Sequence, residues 1–142
     1  MAEVVTPEGE WHKPLPAIDE VNAPYWSAAA EGRLLVQECA ECGHRQFYPR
    51  ALCTQCGCEP GWLECSGRGS VHTFTIVRQF GMRPFRDELP YVVAMIELEE
   101  GPRMMGNVTG CDPDSVQIGQ PVEVYFVRAA DDVGVPMWRP PA

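Results

Sequence analysis

Four cysteines spaced C-x2-C-x10-C-x2-C, at Cys39, Cys42, Cys53 and Cys56, constrain the fold of this 142-residue chain more than any other feature. The chain has seven cysteines, an odd number, and Met1 to Glu10 lacks the basic and apolar blocks of a secretion signal. In that setting, pairs of cysteines two residues apart read as metal ligands rather than as a disulfide frame. Four thiolates fill a tetrahedral shell, which Zn2+ accepts because it has no geometric preference of its own to violate. Iron also accepts four thiolates, in a rubredoxin-like site, but the ten-residue spacer suits a zinc ribbon better. Four protein sulfurs leave no position open for water or substrate, so the expected role of the metal is structural. Gly43 and Gly57 follow the two pairs and permit a turn tight enough to bring backbone N–H groups towards sulfur. His44 and Cys58 lie within two residues of a pair and are the substitute ligands to test, while Cys65 and Cys111 read as small buried hydrophobes.

Charge narrows the partners. A formal net charge of -9 argues against sequence-independent binding to a phosphate backbone, which needs clustered Lys and Arg. This counts against nucleic acid as the partner of the ribbon. No apolar run approaches the roughly 20 residues of a membrane span, so no membrane contact is expected and the default location is cytoplasmic.

Along the chain, residues 1–17 carry prolines and no hydrophobic period, and are expected to form an extended or disordered arm. Residues 18–33 hold a short helix, with Asn22-Ala23-Pro24 as its start and Gly32 as its stop. Its aromatic head, Tyr25-Trp26, must dock on the chain's own core or on a partner, because so short a helix has little stability alone. The ribbon occupies 34–61, with Leu34-Leu35-Val36 entering the first cysteine pair, Gln46-Phe47-Tyr48 returning from it and Pro49 ending that strand. From 62 to 142 the pattern is β. Strands are expected over Val71–Arg78, Tyr91–Leu98, Met104–Thr109 and Val122–Val127, with a fifth around Trp62–Cys65. In the last of the four, Val122, Val124 and Phe126 share one face and Glu123 and Tyr125 the other, as in a wall packed on one side. A mainly β chain with an N-terminal short helix, a rubredoxin-like zinc ribbon and a five-stranded OB-fold barrel fits this order best. Strand count alone also accommodates an SH3-like barrel.

The succession GRLLVQECAECGHRQFYPRALCTQCG, Trp62, SGRGSVHTFTIV, PYVVAMIELEEG and IGQPVEVYF, preceded by a short helix, resembles the zinc-ribbon plus OB-fold family known as domain of unknown function 35. The resemblance spans roughly residues 18 to 128 and includes the Tyr48-Pro49-Arg50 exit and the Ser66-Gly67-Arg68-Gly69 turn. It implies an accessory subunit that assembles with a thiolase-like enzyme: a thiolase, a hydroxymethylglutaryl-CoA synthase or a retro-aldolase of steroid side-chain degradation. In such pairs the partner supplies the catalytic Cys and His. The zinc-ribbon/OB subunit helps shape the acyl-CoA site, so acyl-CoA is implied as a shared ligand. Some members are fused to a hot-dog-fold hydratase domain, for which this chain is too short.

The residues themselves offer no catalytic set. His12, His44 and His72 fall in an arm, beside a cysteine pair and within a strand, with no nucleophile motif near them. Glu97, Glu99 and Glu100, and the pair Asp131-Asp132, read as solvated turns. The Ser66–Gly69 turn has no following Lys or helix and is not a phosphate loop. The segment Gln79 to Arg86 joins two strands, and OB folds commonly bind through such loops. Phe80, Met82, Arg83, Phe85 and Arg86, with Tyr25 and Trp26, are therefore the candidate contacts for acyl-CoA or a partner. The alternative to the accessory subunit is a stand-alone OB-fold module for acyl-CoA or, against the charge, for single-stranded nucleic acid.

Overall fold

The computed structural model describes residues 1–79 and 81–142. Phe80, one of the candidate contacts, lies outside the described residues. Among the described residues nine strands, β1 to β9 in chain order, form two sheets, and one α-helix, α1, packs with them: β1 Val4–Val5, α1 Ala23–Ala30, β2 Leu35–Glu38, β3 Arg45–Gln46, β4 Gly61–Glu64, β5 Arg68–Val77, β6 Tyr91–Leu98, β7 Arg103–Val108, β8 Pro121–Ala130 and β9 Val133–Arg139.

Strands β3, β2 and β4 make a small antiparallel sheet that carries the cysteines. The other six are ordered β1-β8-β5-β6-β7-β9, and an additional pairing of β8 with β9 closes β5 to β9 into a five-stranded barrel. Alternation builds the wall. Val92, Ala94, Ile96 and Leu98 of β6 and Val122, Val124 and Phe126 of β8 point inward and are buried, as the period of two requires. At the closing seam β7 meets β9 only at Val108 and Trp138, and Trp138 is fully buried in the shared core with Phe126, Ile96 and Met104.

Three expectations need correction. The segment Trp62–Cys65 does not supply a barrel strand: β4 pairs with β2, placing Trp62 opposite Gln37 in the ribbon sheet. The fifth barrel strand is β9, which Gly134 and Pro136 disguise in the sequence. Pro136 is tolerated because β9 pairs along its length with β8 alone and touches β7 at one position. The turn before β5 is shorter than Ser66 to Gly69, since Arg68 and Gly69 already pair with Glu123 and Val122 of β8.

The arm is extended, and its first residues are tied into the sheet. Val4 and Val5 run parallel to Phe126 and Val127 of β8, Ala2 N–H donates to the Gly32 carbonyl at 2.8 Å, and Glu3 pairs with Arg139. Backbone pairing and two ion pairs, Glu3 with Arg139 and Lys13 with Glu88, hold a segment whose composition promises no order.

Helix α1 begins with Pro24 in its first turn and buries Tyr25, Ala28, Ala29 and Ala30. The alanines let its backbone approach β9 closely, and Gly134 is the receiving position: a Cβ there would overlap the Ala29 carbonyl. The Arg128 guanidinium donates to the Ala30 carbonyl at 3.0 Å, placing a cation at the negative end of the helix. We predict that Gly134→Ala lowers the unfolding free energy by about 1–3 kcal/mol, the usual cost of overfilling a packed contact. Urea titration reads this directly, and an unchanged midpoint would mean that the helix does not rest on this strand.

Candidate metal centre

The two cysteine pairs fold into matching turns. In the first, Gly43 N–H donates to the Cys39 carbonyl at 2.8 Å and Cys39 N–H to the His44 carbonyl at 2.9 Å. In the second, Gly57 N–H donates to the Cys53 carbonyl at 3.0 Å and Cys53 N–H to the Cys58 carbonyl at 2.7 Å. Gly43 and Gly57 have φ of 75° and 78°, the left-handed conformation that lets each chain reverse within one residue of its second cysteine. His44 and Cys58 thus take equivalent places and contribute carbonyls to the turns. The His44 ring meets the Thr54 hydroxyl at 3.1 Å instead of joining the sulfurs.

The four sulfurs lie within 4.8 Å of one another, with Cys39 to Cys56 at 3.4 Å and Cys42 to Cys53 at 3.6 Å. A tetrahedral zinc with Zn–S bonds of about 2.3 Å requires sulfurs about 3.8 Å apart, so the donor set fits. Cys39 and Cys53 are buried, at 1% and 4% exposure, while Cys42 and Cys56 face solvent. The backbone N–H of Cys56, aimed at its sulfur, holds the Cys53 thiol down at about 6 against the opposing effect of desolvation, with the Gln55 N–H assisting. Thiolate is the form that binds metal. Among the described residues no His, Asp or Glu joins this cluster.

Two buried glutamines hold the loop between the pairs. Gln37 and Gln46 face each other across β2 and β3, and Gln46 Nε2 donates to Gln37 Oε1 at 2.8 Å. Gln37 also accepts from Arg50 N–H and donates to the Arg50 carbonyl, both at 2.8 Å. Gln46 accepts from Thr54 N–H at 2.9 Å and donates to the Leu52 carbonyl at 3.2 Å. Sequence reading passed over these residues; the available signal was a polar amide on each ribbon strand where a small core would place an aliphatic residue.

The ribbon is joined to both neighbours. Towards the helix, the Tyr48 hydroxyl accepts from Trp26 Nε1 at 3.0 Å and from Asn22 Nδ2 at 3.2 Å, and the rings of Tyr25, Phe47 and Tyr48 pack edge to face or tilted. Towards the barrel, Arg45 donates to the Glu100 carbonyl at 3.0 Å. Ser66 N–H donates to the Glu100 carboxylate at 2.9 Å, and Arg68 and the Ser66 hydroxyl both engage Glu99. Glu99 and Glu100 stand in the turn after β6, as expected, with Glu97 and Glu99 exposed; Glu97 pairs with Arg103, and the other two also hold the linker between ribbon and barrel. Asp131 and Asp132 do form an exposed turn, between β8 and β9.

The candidate contact residues scatter. Tyr25, at 1% exposure, belongs to the core, and burial pushes its hydroxyl pKa up, so it offers no free surface. Trp26 is half-buried beside Tyr48. In the loop between β5 and β6, Met82 is 77% exposed and Arg83 and Arg86 face solvent, with Arg86 Nε donating to the Gly81 carbonyl at 3.3 Å. Phe85 folds back to Tyr91, ring centroids 6.4 Å apart.

Cys65 is buried as expected, and Cys111 packs half-buried against the core. Burial first, then the nearby Glu100 carboxylate, pushes the Cys65 thiol up to about 12. At pH 8 it therefore stays protonated, and iodoacetamide should label exposed Cys58 in the native chain while Cys65 reacts only after denaturation. Peptide mass mapping checks this; rapid native labelling of Cys65 would contradict its placement.

Comparison with known proteins places the geometry in context. The family model described as "ChsH2, rubredoxin-like zinc ribbon domain" matches residues 26–57, and "ChsH2, C-terminal OB-fold domain" matches residues 62–127. A "DUF35 domain-containing scaffold protein" of Methanocaldococcus jannaschii is 37% identical over 117 residues, covering 80% of this chain and 82% of the relative. A "Probable enoyl-CoA hydratase alpha subunit" of Thermomonospora curvata is 36% identical over 130 residues, 90% of this chain, but the chain spans only 40% of that relative's length. Among solved structures, a chain of the "Ltp2-ChsH2(DUF35) aldolase" superposes with a TM-score of 0.79 at 35% identity, covering 89% of this chain and 98% of that one. With its ribbon and barrel matched in order, the chain belongs to the DUF35 family.

Proposed function

We propose that this protein is a zinc-binding, non-catalytic accessory subunit that docks on a thiolase-like enzyme and helps to form its acyl-CoA site. One observation carries the reading: the chain matches, over nearly its whole length and at 35% identity, a component of the Ltp2-ChsH2(DUF35) aldolase. The closed set of four sulfurs is consistent with a metal that holds structure and leaves the chemistry to the partner. Cys39, Cys42, Cys53 and Cys56 are the proposed ligands. Trp26, Met82, Arg83 and Arg86, all half-buried or exposed, are the proposed contacts for partner or acyl-CoA. The relative named as a hydratase subunit supports a second kind of partner, a hot-dog-fold hydratase, with the same chain acting as the docking module.

Among the described residues no helix is long and apolar enough to cross a membrane. The charge of -9 continues to disfavour nucleic acid as the ligand.

Co-expression with a thiolase-like protein, sought first among the neighbouring reading frames, is the direct test. The two should co-elute from size-exclusion chromatography, and acyl-CoA cleavage or condensation should require the mixture. If no thiolase-like or hydratase partner is captured and an oligonucleotide binds with a steep salt dependence, the stand-alone module replaces this reading. Cys39→Ser or Cys53→Ser should reduce the zinc content, measured by metal analysis, from one per chain towards zero and abolish co-elution in parallel. Assembly that survives complete metal loss would remove the structural role assigned to the site.

A further inference from the structure

Residues 7–16 cross the outer face of the barrel and leave clefts on both sides, and Lys13 lines three of them. One, of about 260 Å³, lies between the loop before β6 and strands β6, β7 and β9, with walls of Phe85, Tyr91, Val93, Met105 and Met137. A second, of about 290 Å³, shares Lys13, Phe85 and Met137 with it and continues along Trp11 and Trp26. In barrel order β6 and β7 are the second and third strands, and the loop before them joins the first to the second. This is the face and the loop through which OB folds take ligands.

Two polar side chains stand where the arm crosses: Lys13 lines both clefts, and Trp11 the second. The Lys13 ammonium lies 5.2 Å from the centre of the Trp11 ring and 5.6 Å from that of Phe85, and is bonded to Glu88 at 2.7 Å. The Trp11 indole N–H is buried and has no hydrogen-bond partner among the described residues. A buried donor without an acceptor is costly unless something fills the role. A cation beside an unpartnered N–H calls for an anionic acceptor, and the walls call for hydrocarbon. Two of the clefts fall just below the roughly 300–1,000 Å³ usual for ligand sites and the third, of about 420 Å³, near its lower edge, sizes that suit a slender chain better than a whole coenzyme.

We propose that the cleft under the arm binds an amphipathic carboxylate. Its chain runs along Phe85, Tyr91, Val93, Met105 and Met137, and its carboxylate rests on Lys13 and, with a small shift of the arm that uncovers it, on the Trp11 N–H. The ligand's head competes with Glu88 for Lys13. That exchange replaces one carboxylate by another and returns a surface side chain to water, so the charge balance at Lys13 is preserved. Met105, 66% exposed without a ligand, becomes covered. The site shares Trp26 with the proposed partner contacts, but it is read by titration of this chain alone and partner docking by co-elution, so either assignment can fail alone.

The test is titration of the full chain with sodium decanoate, followed through the indole N–H resonances of the four tryptophans in 15N-labelled protein. Saturable binding should displace the Trp11 signal. Lys13→Met should weaken it by about tenfold, the loss of one charge-assisted hydrogen bond. Glu88→Gln should tighten it by removing the competitor, an effect opposite in sign to any general loosening of the arm. Met105→Glu should block the chain, and decanol, with a neutral head, should bind more weakly than decanoate. Unchanged amide spectra away from the arm establish that each variant folds. No saturable shift, or binding indifferent to Lys13, Glu88 and the head group, would overturn the proposal.

Discussion

The convergence of four sulfurs is the constraint on which the rest of the structure depends. The ribbon has almost no hydrocarbon interior of its own: between its strands lie Gln37 and Gln46, whose amides satisfy the backbone of the loop joining the two cysteine pairs. A sheet of three short strands held by such bonds has little burial to offset its ordering entropy. Thiolates aimed at one point, each reached by a turn with glycine in the left-handed conformation, supply the missing cohesion.

The ribbon then acts as a strut. Its exit residues Phe47 and Tyr48 receive the aromatic helix, and Arg45 and the Ser66 linker are gripped by Glu99 and Glu100 from the hairpin of β6 and β7. The helix in turn presses its alanine face on Gly134 of β9, so helix, ribbon and barrel share one continuous core. Displacement of the ribbon would expose Tyr25 and Leu34 along with the inner face of the barrel. In the proposed accessory role, this coupling would let a structural metal govern whether the docking surface is presented.

Function in such an assembly belongs to surfaces. The candidate loop between β5 and β6 is polar and open at Met82, Arg83 and Arg86, whereas Phe85 turns inward and becomes a wall of the cleft under the arm. One loop therefore faces two environments, solvent at Met82, Arg83 and Arg86 and an apolar cleft at Phe85.

Much of this was legible in the chain. The four-sulfur cluster followed from C-x2-C spacing, the helix from Pro24 and Gly32, and the barrel walls from the alternation in Tyr91–Leu98 and Val122–Val127, because these signals are local and repeat with the geometry of one element. The sequence by itself determined the helix, the four strands of clear alternation and the sulfur donor set. Tertiary structure decided the rest: that Trp62 pairs with Gln37 in the ribbon, that Val133–Arg139 closes the barrel despite Gly134 and Pro136, that Tyr25 is core, and that Lys13 of an unpatterned arm meets Phe85. Each of these depends on which distant segment supplies the other half of a contact, and a pattern read along the chain carries no record of its partner across space.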